Sequence, residues 1–494
     1  MNHFNLIDEP WIPVVGEEAR SLRNVFASYA PSHLGGTPIQ QLSVLKLLLA
    51  IAQRAMTPTD ERQWLSTGAE GLGRQCIEYL EAHHDLFFLY GKQPFLQFPI
   101  LEKLETHKGD PLTTMSIGKP FHPDVPAENE TVLNQFQVNR TPTEAEKALF
   151  LISIMNYNAG GKRVAHIPPL SPHFTTKGKS AKPGPSLGNY NGYTQSCLWG
   201  SSILETVWLN LFTKEDFAKF PQWHDDPIAP PWELMPKGED DEVARKLKSS
   251  HMGTLVGLSR FTLLKDDGIL FAEGIQYPSH KEGWREPFMT IRAENKVQFL
   301  DTSRKPWRNL DALLALTFSD TSNNVTCVQI QEFLLRARNA VPSFGIWSGG
   351  LQVRGTAGDQ SVKQSDDFIQ SLVFLESEVL GTLWFNTLET EMRWLETAGN
   401  TLRISVKRYH QELNEKKSTA DKVVAERYWE YCETLFQDLI DACSDQEALL
   451  GIRKKIAIKI DTLYSTFCGR DTARQMVSWV KHRPIITRIT HKEE

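Results

Sequence analysis

Basic residues are concentrated in one segment of an otherwise acidic chain. The 494 residues carry a net charge of -6, yet residues 148–204 contain no Asp or Glu. The basic residues there are Lys162, Arg163, Lys177, Lys179 and Lys182. Gly160 and Gly161 precede them, and glycine lets backbone N–H groups approach phosphates closely. Because a concentrated positive field attracts a polyanion whatever the net charge, we predict a nucleic-acid contact here; the alternative is an ordinary solvated loop.

A glycine-rich loop from Ser348 to Ser361 is the second candidate for recognition. Its glycines, which permit tight turns, are Gly349, Gly350, Gly355 and Gly358. Arg354 and Gln360 carry the side chains that reach base edges or insert at a base step. The loop is expected to end just before a helix that starts near Ser365. The alternative is a glycine-rich hinge between two domains.

Catalytic and metal-binding patterns are scarce. The chain has no phosphate-loop, H-E-x-x-H or G-x-S-x-G motif. His83, His84 and Asp85 resemble the paired His-Asp of metal phosphohydrolases, but other ligands at a recognisable spacing are missing, so a structural role is favoured. The six cysteines form no C-x-x-C pair, which predicts no zinc site and no disulfide framework. We therefore predict no metal, no cofactor and no enzymatic activity.

Composition and apolar patterning indicate a cytoplasmic protein without a membrane segment. Its Met1–Asn5 start lacks the basic and apolar regions of a signal peptide. The longest apolar runs, such as Ala148–Met155, are too short to cross a bilayer. Scattered cysteines fit a reducing compartment.

Proline separates two regions of different patterning. Of the 27 prolines, 26 lie at or before Pro342, and the next is Pro484. The stretch between them contains apolar residues at steps of three and four, as in the series Phe368, Leu372, Leu375, Val379 and Leu383. Similar series begin at Val424 and Leu449, so a helical bundle of four main helices is predicted over about 366–485.

The first 340 residues predict a mixed α/β region with long loops. Helices are expected at Leu42–Met56 and Gly73–His83. Short strands are expected at Gly253–Leu264, Ile269–Ala272, Phe288–Arg292 and Val297–Leu300. The fold class is therefore α+β, with a mixed domain over 1–362 and a four-helix bundle over 363–494.

Several stretches together resemble one protein family. They are Phe4–Val14 (FNLIDEPWIPV), Phe87, Pro94–Gln97, the Gly160–Gly161 loop, Gly349–Gly350 with Asp359–Ser361, Ala425–Trp429 with Phe436, Tyr464, and Asp471–Arg474. In order and spacing they are similar to the large subunit, CasA, of the type I-E CRISPR Cascade complex. The similarity covers nearly the whole length and matches the two-domain outline.

That resemblance implies a non-catalytic subunit of a crRNA-guided complex that reads the protospacer-adjacent motif (PAM) in double-stranded DNA. Gln360, flanked by Asp359 and Ser361, would be the wedge that opens the duplex. Gly160, Gly161 and Lys162 would approach the minor groove, and Arg163 beside them would also contact DNA. Lys177, Lys179, Lys182 and Arg354 would hold phosphates. The residues that would engage the crRNA 5′ end and neighbouring subunits are Asn134, Gln135, Phe136, Gln137, Val138 and Asn139.

The implied partners are the other Cascade subunits, crRNA, target DNA and a helicase–nuclease. Lys265 is the nearest basic residue to the family's PAM-contacting position, and acidic neighbours crowd it. Two other functions remain open from the residues. One is a metal-dependent nuclease or phosphohydrolase using His83, His84 and Asp85; the other is an architectural subunit whose basic loop binds only crRNA or other subunits.

Overall fold

The structure is a computed structural model that describes most of the chain. The described residues are 4–106, 108–114, 142–157, 170–171, 192–223, 225–266, 268–278, 285–292, 296–318, 325–352, 354–356, 359–361, 368–415 and 418–485, with backbone only for 316, 354–356 and 359–361. The chain forms two compact units. Unit 1 comprises Met1–Pro306, Val325–Ala340 and Phe344–Leu372; unit 2 comprises Trp307–Asn324, Val341–Ser343 and Val373–Glu494. The domain boundary expected after residue 362 stays a prediction.

Helices and strands alternate irregularly along the chain, which confirms the α+β class. The helices are α1 (Leu22–Ala27), α2 (Pro38–Ala55), α3 (Glu61–Ala82), α4 (Glu144–Asn156), α5 (Ile203–Leu209), α6 (Lys214–Ala218), α7 (Glu242–Lys248), α8 (His251–Leu255), α9 (Leu310–Phe318), α10 (Val328–Ala340), α11 (Thr382–Glu412), α12 (Ala420–Thr434), α13 (Phe436–Asp441), α14 (Gln446–Phe467) and α15 (Ala473–His482). The strands are β1 (Gln195–Trp199), β2 (Arg260–Lys265), β3 (Gly268–Glu273), β4 (Ile291–Arg292), β5 (Lys296–Val297), β6 (Ser343–Leu351), β7 (Arg354–Thr356), β8 (Asp359–Ser361) and β9 (Phe368–Glu376).

Helix α2 lies in the core of unit 1. Thr37 and Gln40 form a reciprocal capping box at its start, and Pro38 occupies the first turn, where a missing N–H costs nothing. The helix is buried on all sides from Pro38 to Gln53, which is typical of a helix surrounded by other elements. This confirms the helix predicted at Leu42–Met56.

The sheets are small, and the largest has strand order β1-β6-β9. Strands β1 and β6 are antiparallel, with Gln195 opposite Gly349. The predicted strand at Ile269–Ala272 is confirmed as β3, which pairs with β2. The strand predicted at Gly253–Leu264 is confirmed over Arg260–Leu264, in β2, but its first part was wrong. Helix α8 forms instead, because Ser250 caps it and the Asp226 carboxylate accepts hydrogen bonds from the His251 and Met252 N–H groups.

Unit 2 contains the predicted bundle, built from α11, α12, α14 and α15, with the short α13 between them. Gly399 lets α11 and α12 approach closely, since a Cβ there would lie 2.6 Å from the Tyr428 ring. The Tyr428 hydroxyl donates to the Leu395 carbonyl at 2.9 Å.

The bundle begins later than predicted, because no helix forms over residues 368–376, where the apolar series from Phe368 predicted one. Residues Phe368–Glu376 form strand β9. Ile369, Val373 and Leu375 are the buried residues there, so an alternating pattern overlaps the three-and-four spacing that predicted a helix. A place beside β6 in the sheet favours the strand.

Candidate nucleic-acid interface

The structure describes the attachment points of the two predicted recognition segments rather than most of their side chains. Gly160, Gly161, Lys162, Arg163, Lys177, Lys179, Lys182 and Asn134–Asn139 lie outside the described residues. For Arg354, Asp359, Gln360 and Ser361 the backbone is described, in β7 and β8. The basic segment is defined below as residues 158–191. Its neighbours Tyr157 and Gly192, and Leu170–Ser171 within it, are described.

The two ends of the basic segment are joined by hydrogen bonds. Tyr157, directly after α4, is buried, and its hydroxyl donates to the Gln195 side chain at the start of β1. The Tyr193 hydroxyl donates to the Glu286 carboxylate at 3.0 Å, and Gln195 Nε2 donates to the same carboxylate at 3.3 Å. The chain therefore leaves and re-enters the core of unit 1 at one place.

That place is organised around a buried ion pair. Lys46 Nζ, on α2, lies 2.6 Å from Glu286 Oε1, and both side chains are fully buried. Burial, and secondarily the Glu286 charge, raises the pKa of both Tyr157 and Tyr193 well above the ordinary tyrosine range. Both hydroxyls therefore remain protonated and act as hydrogen-bond donors.

A second buried carboxylate holds the middle of the basic segment. The Glu239 side chain accepts hydrogen bonds from the Leu170 N–H at 3.0 Å and from the Ser171 N–H at 2.8 Å. The Asp240 N–H donates to Ser171 Oγ at 2.9 Å. These contacts separate the basic residues along the sequence. Lys162 and Arg163 precede the attachment, and Lys177, Lys179 and Lys182 follow it.

The glycine-rich loop also starts at this place. Gly349 pairs with Gln195, and a Cβ on Gly349 would lie 2.7 Å from the Ile369 carbonyl oxygen. Gly350 has a φ of +149°, and a Cβ there would lie 2.9 Å from the Tyr193 carbonyl oxygen. Both glycines belong to β6 and are required by close backbone approach, so the hinge alternative was wrong for this pair.

The chain then forms an antiparallel hairpin from β7 and β8. Gly355 lies opposite Gln360, and Arg354 lies opposite Ser361. At the root of the hairpin, Thr302 Oγ1 donates to Gln352 Oε1 at 2.6 Å. The structure thus brings together the starting points of two segments that are far apart in sequence, the basic segment and the hairpin that carries Gln360.

Comparison with known proteins identifies the family. The family model described as CRISPR-associated protein Cse1 matches residues 5–463. The chain belongs to the CRISPR-associated Cse1 family. The resemblance to the CasA family seen in the sequence is therefore confirmed.

Individual relatives agree with this assignment. The CasA/Cse1 protein of Thermus thermophilus is 24% identical over 348 residues, covering 64% of this chain and 61% of the relative. The chain thus matches less than two thirds of that relative's length. Cse1 of Thermobifida fusca has a similar fold, with a TM-score of 0.72, 20% identity, and coverage of 99% and 98% of the two chains. A chain from a CRISPR RNA-guided surveillance complex has a TM-score of 0.67, 15% identity, and coverage of 98% and 99%.

Lys265 and Arg308, two basic residues outside these segments, have partners within the fold. Lys265 Nζ lies 2.5 Å from Glu102 Oε1. The Arg308 guanidinium stacks on Trp429 at 3.4 Å from the ring centroid and pairs with Glu396 at 2.8 Å. Trp307 packs against Phe436 with ring centroids 4.2 Å apart. Arg308 therefore serves packing within unit 2.

The contacts of His83, His84 and Asp85 do not support the metal-dependent alternative. His83 Nδ1 lies 2.9 Å from the Tyr79 carbonyl oxygen, and His84 Nε2 lies 2.7 Å from Asp8 Oδ2. The Asp85 side chain is 98% exposed. Among the described residues, no cluster of His, Cys, Asp and Glu could hold a metal ion.

Two further expectations concern thiols and membranes. All six cysteines are buried free thiols, and burial raises the pKa of Cys327 to about 12. Within the described part of the chain, no helix has the length and apolar character needed to cross a membrane.

Sequence reasoning missed the residues that position both segments. These residues belong to no sequence motif, and Lys46 lies far from Glu286 in the chain. They are Lys46, Tyr157, Tyr193, Gln195, Glu239 and Glu286. Tyr157 and Tyr193 border the basic segment, and that is the only signal in the sequence that could have drawn attention to them.

Proposed function

We propose that this chain is the non-catalytic, PAM-recognising subunit of a crRNA-guided surveillance complex. The basic segment binds double-stranded DNA, and the β7–β8 hairpin inserts Gln360 at the first base step beside the PAM. Guide pairing then supplies sequence specificity, while this chain recognises a short tag and the shape of the duplex. Residues 134–139 engage the crRNA and neighbouring subunits, and the loaded complex recruits the helicase–nuclease.

One observation carries this proposal: the basic segment and the hairpin both start beside the same short stretch of backbone, Tyr193–Gln195. Gly350 packs on the Tyr193 carbonyl, and Gly349 pairs with Gln195, the first residue of β1. Segments rooted so closely can act on the same few base pairs. Phosphate contacts fix the position of the duplex, and a wedge inserts between base pairs. The two must act at neighbouring positions if the wedge is to open the duplex that the phosphate contacts hold.

The test is binding and opening of a target duplex by the complex assembled with crRNA. Lys162→Ala with Arg163→Ala should weaken duplex binding broadly and lower the salt slope by up to about 2, since each lost phosphate contact removes about 0.9. Lys407→Ala with Arg408→Ala, an exposed Lys–Arg pair on α11, is the matched control and should change neither quantity.

Gln360→Ala should affect strand opening more than duplex binding. The fluorescence of a 2-aminopurine beside the PAM rises when that base unstacks. If the wedge offsets about 1.4 kcal/mol or more of unstacking energy, the rate of this rise should be at least tenfold lower in Gln360→Ala. Gln411→Ala on α11 is the matched control. Unchanged opening and unchanged duplex affinity in both test variants would refute the proposed role.

A further inference from the structure

An open groove lies between the N-terminal halves of α11 and α14 in unit 2. It encloses about 830 Å³ and is lined by residues that include Leu383, Thr387, Leu449 and Leu450. Leu383 is 85% exposed and Leu450 is 42% exposed, although both are large apolar side chains. Two of the lining residues form an ion pair, in which Arg453 donates to the Glu391 carboxylate at 2.8 and 2.5 Å.

The C-terminal halves of the same two helices already bind a helix, α15. The Tyr464 hydroxyl of α14 donates to the Trp479 carbonyl at 2.9 Å, and the two rings pack with centroids 5.8 Å apart. The Ser478 hydroxyl donates to the Tyr409 carbonyl of α11 at 3.2 Å. Helix α15 therefore contacts both helices, with Trp479 packed against α14 and Ser478 bonded to α11.

On both α11 and α14, the residues that line the open groove lie on the same helix face as the residues that contact α15. Along α14, Leu450, Arg453, Ala457, Asp461 and Tyr464 are separated by three or four residues. Along α11, steps of three or four residues connect Thr387, Glu391, Leu395, Ala398, Leu402, Ser405 and Tyr409. The open groove and the α15 site are thus two parts of one interhelical surface, of which α15 fills only the second.

The α15 contact also shows which charges this surface accepts. Lys481 of α15 pairs with Glu412 at 2.9 Å, and Arg483, just after the helix, pairs with Asp461 at 2.7 Å. His482 contacts Glu412 as well. A helix with an apolar anchor and basic flanks is therefore the kind of element that α11 and α14 hold.

Exposed carboxylates also flank the lining residues of the open part in the sequence. Glu376, Glu378, Asp445 and Glu447 are exposed and lie next to or near lining residues in the sequence, with Lys454 as a nearby cation. The N-termini of α11 and α14 contribute only about half a positive charge each, so the border stays negative.

We propose that the open groove binds an amphipathic helix of another protein, with apolar anchors flanked by Lys or Arg. Such a helix would repeat the α15 contact on the free half of the same surface. Helix-in-groove binding of this kind uses apolar residues three, four and seven positions apart. The site is separate from the duplex-binding segments and does not depend on their role.

The test is site-specific photocrosslinking of the full-length chain in its native cells. A benzoylphenylalanine at position 383 and another at position 450 report the two edges of the groove. Both probes should capture the same segment of the partner. Its sequence, determined from the crosslinked peptide, should have apolar residues at helical spacing and at least two basic residues beside them. A probe at Val423, a 38% exposed residue on α12, is the matched control and should not capture it.

Two variants test the chemistry of the captured contact. Leu383→Asp should lower crosslinking from position 450 at least about tenfold, because one anchor contact is lost. Glu378→Lys with Glu447→Lys should lower it by a similar factor through charge repulsion. Capture of an acidic segment, a second copy of this chain, residues 486–494 of the same chain, or nothing would overturn the proposal. Duplex binding is measured in parallel and should be unchanged, so failure here is distinct from failure of the DNA-binding role.

Discussion

Glu286→Gln is expected to loosen the attachment of both recognition segments. Glu286 pairs with Lys46 at 2.6 Å in a fully buried site and also accepts from Tyr193 and Gln195. The substitution keeps the shape of the side chain but leaves the Lys46 ammonium buried without a counter-charge. Breaking a buried pair in this way costs about 3–5 kcal/mol of unfolding free energy.

The double variant Lys46→Met with Glu286→Gln separates charge from packing. It removes both charges and leaves an amide that can still accept from Tyr193, so it should recover at least about 2 kcal/mol relative to Glu286→Gln alone. Glu70→Gln, which breaks an exposed pair with Arg74, is the control and should cost no more than about 0.5 kcal/mol.

Urea unfolding combined with hydrogen exchange provides the assay. In Glu286→Gln, peptides covering β1 and β6 should lose protection, while peptides of α14 in unit 2 serve as an internal reference. A cost below about 1 kcal/mol, or a double variant no more stable than Glu286→Gln, would refute the reasoning that this ion pair anchors the site.

Two other predictions test local packing and protonation. Gly349→Ala should destabilise unit 1 by about 1–3 kcal/mol in urea unfolding, because its Cβ would clash with the Ile369 carbonyl; Gly451→Ala on α14, where nothing lies within 4 Å, should instead stabilise by about 0.5–1 kcal/mol. Burial raises the pKa of Asp226 to about 6, so the folded state binds an extra proton between about pH 4 and 6 and loses stability as the pH rises through that window. Asp226→Asn removes this titration. In that pH window the unfolding free energy of the variant should fall by about 1.4 kcal/mol less per pH unit than that of the unsubstituted protein, whereas Asp225→Asn, at an exposed position, should not change the slope.

Local patterns in the sequence predicted the long helices α2 and α14 well and the sheet poorly. The three-and-four spacing along Leu449–Phe467 belongs to one continuous helix, which packs against α11, α12 and α13, the helices that precede it in the sequence. Strand β1 is buried at every residue from Gln195 to Trp199, so it shows no alternation, and its partner β6 lies about 150 residues away. Such a pairing is decided by tertiary contacts, which no local pattern encodes.

The candidate site was predictable in its charge but not in its support. A run without acidic residues marked 148–204, and glycines marked the hairpin. The residues that join these segments are ordinary core residues by type. A buried Lys46 is recognisable only when Glu286 is seen beside it, because Lys is rarely buried unless it is paired.

The central claim is that the basic segment and the hairpin act on the same stretch of duplex. Photocrosslinking from position 162 and from position 360, in the complex assembled with crRNA on a target duplex, tests it directly. Both probes should crosslink to DNA within about one helical turn, roughly 10 base pairs, of the PAM. Crosslinks at separate places on the duplex, or none from either position, would contradict the account.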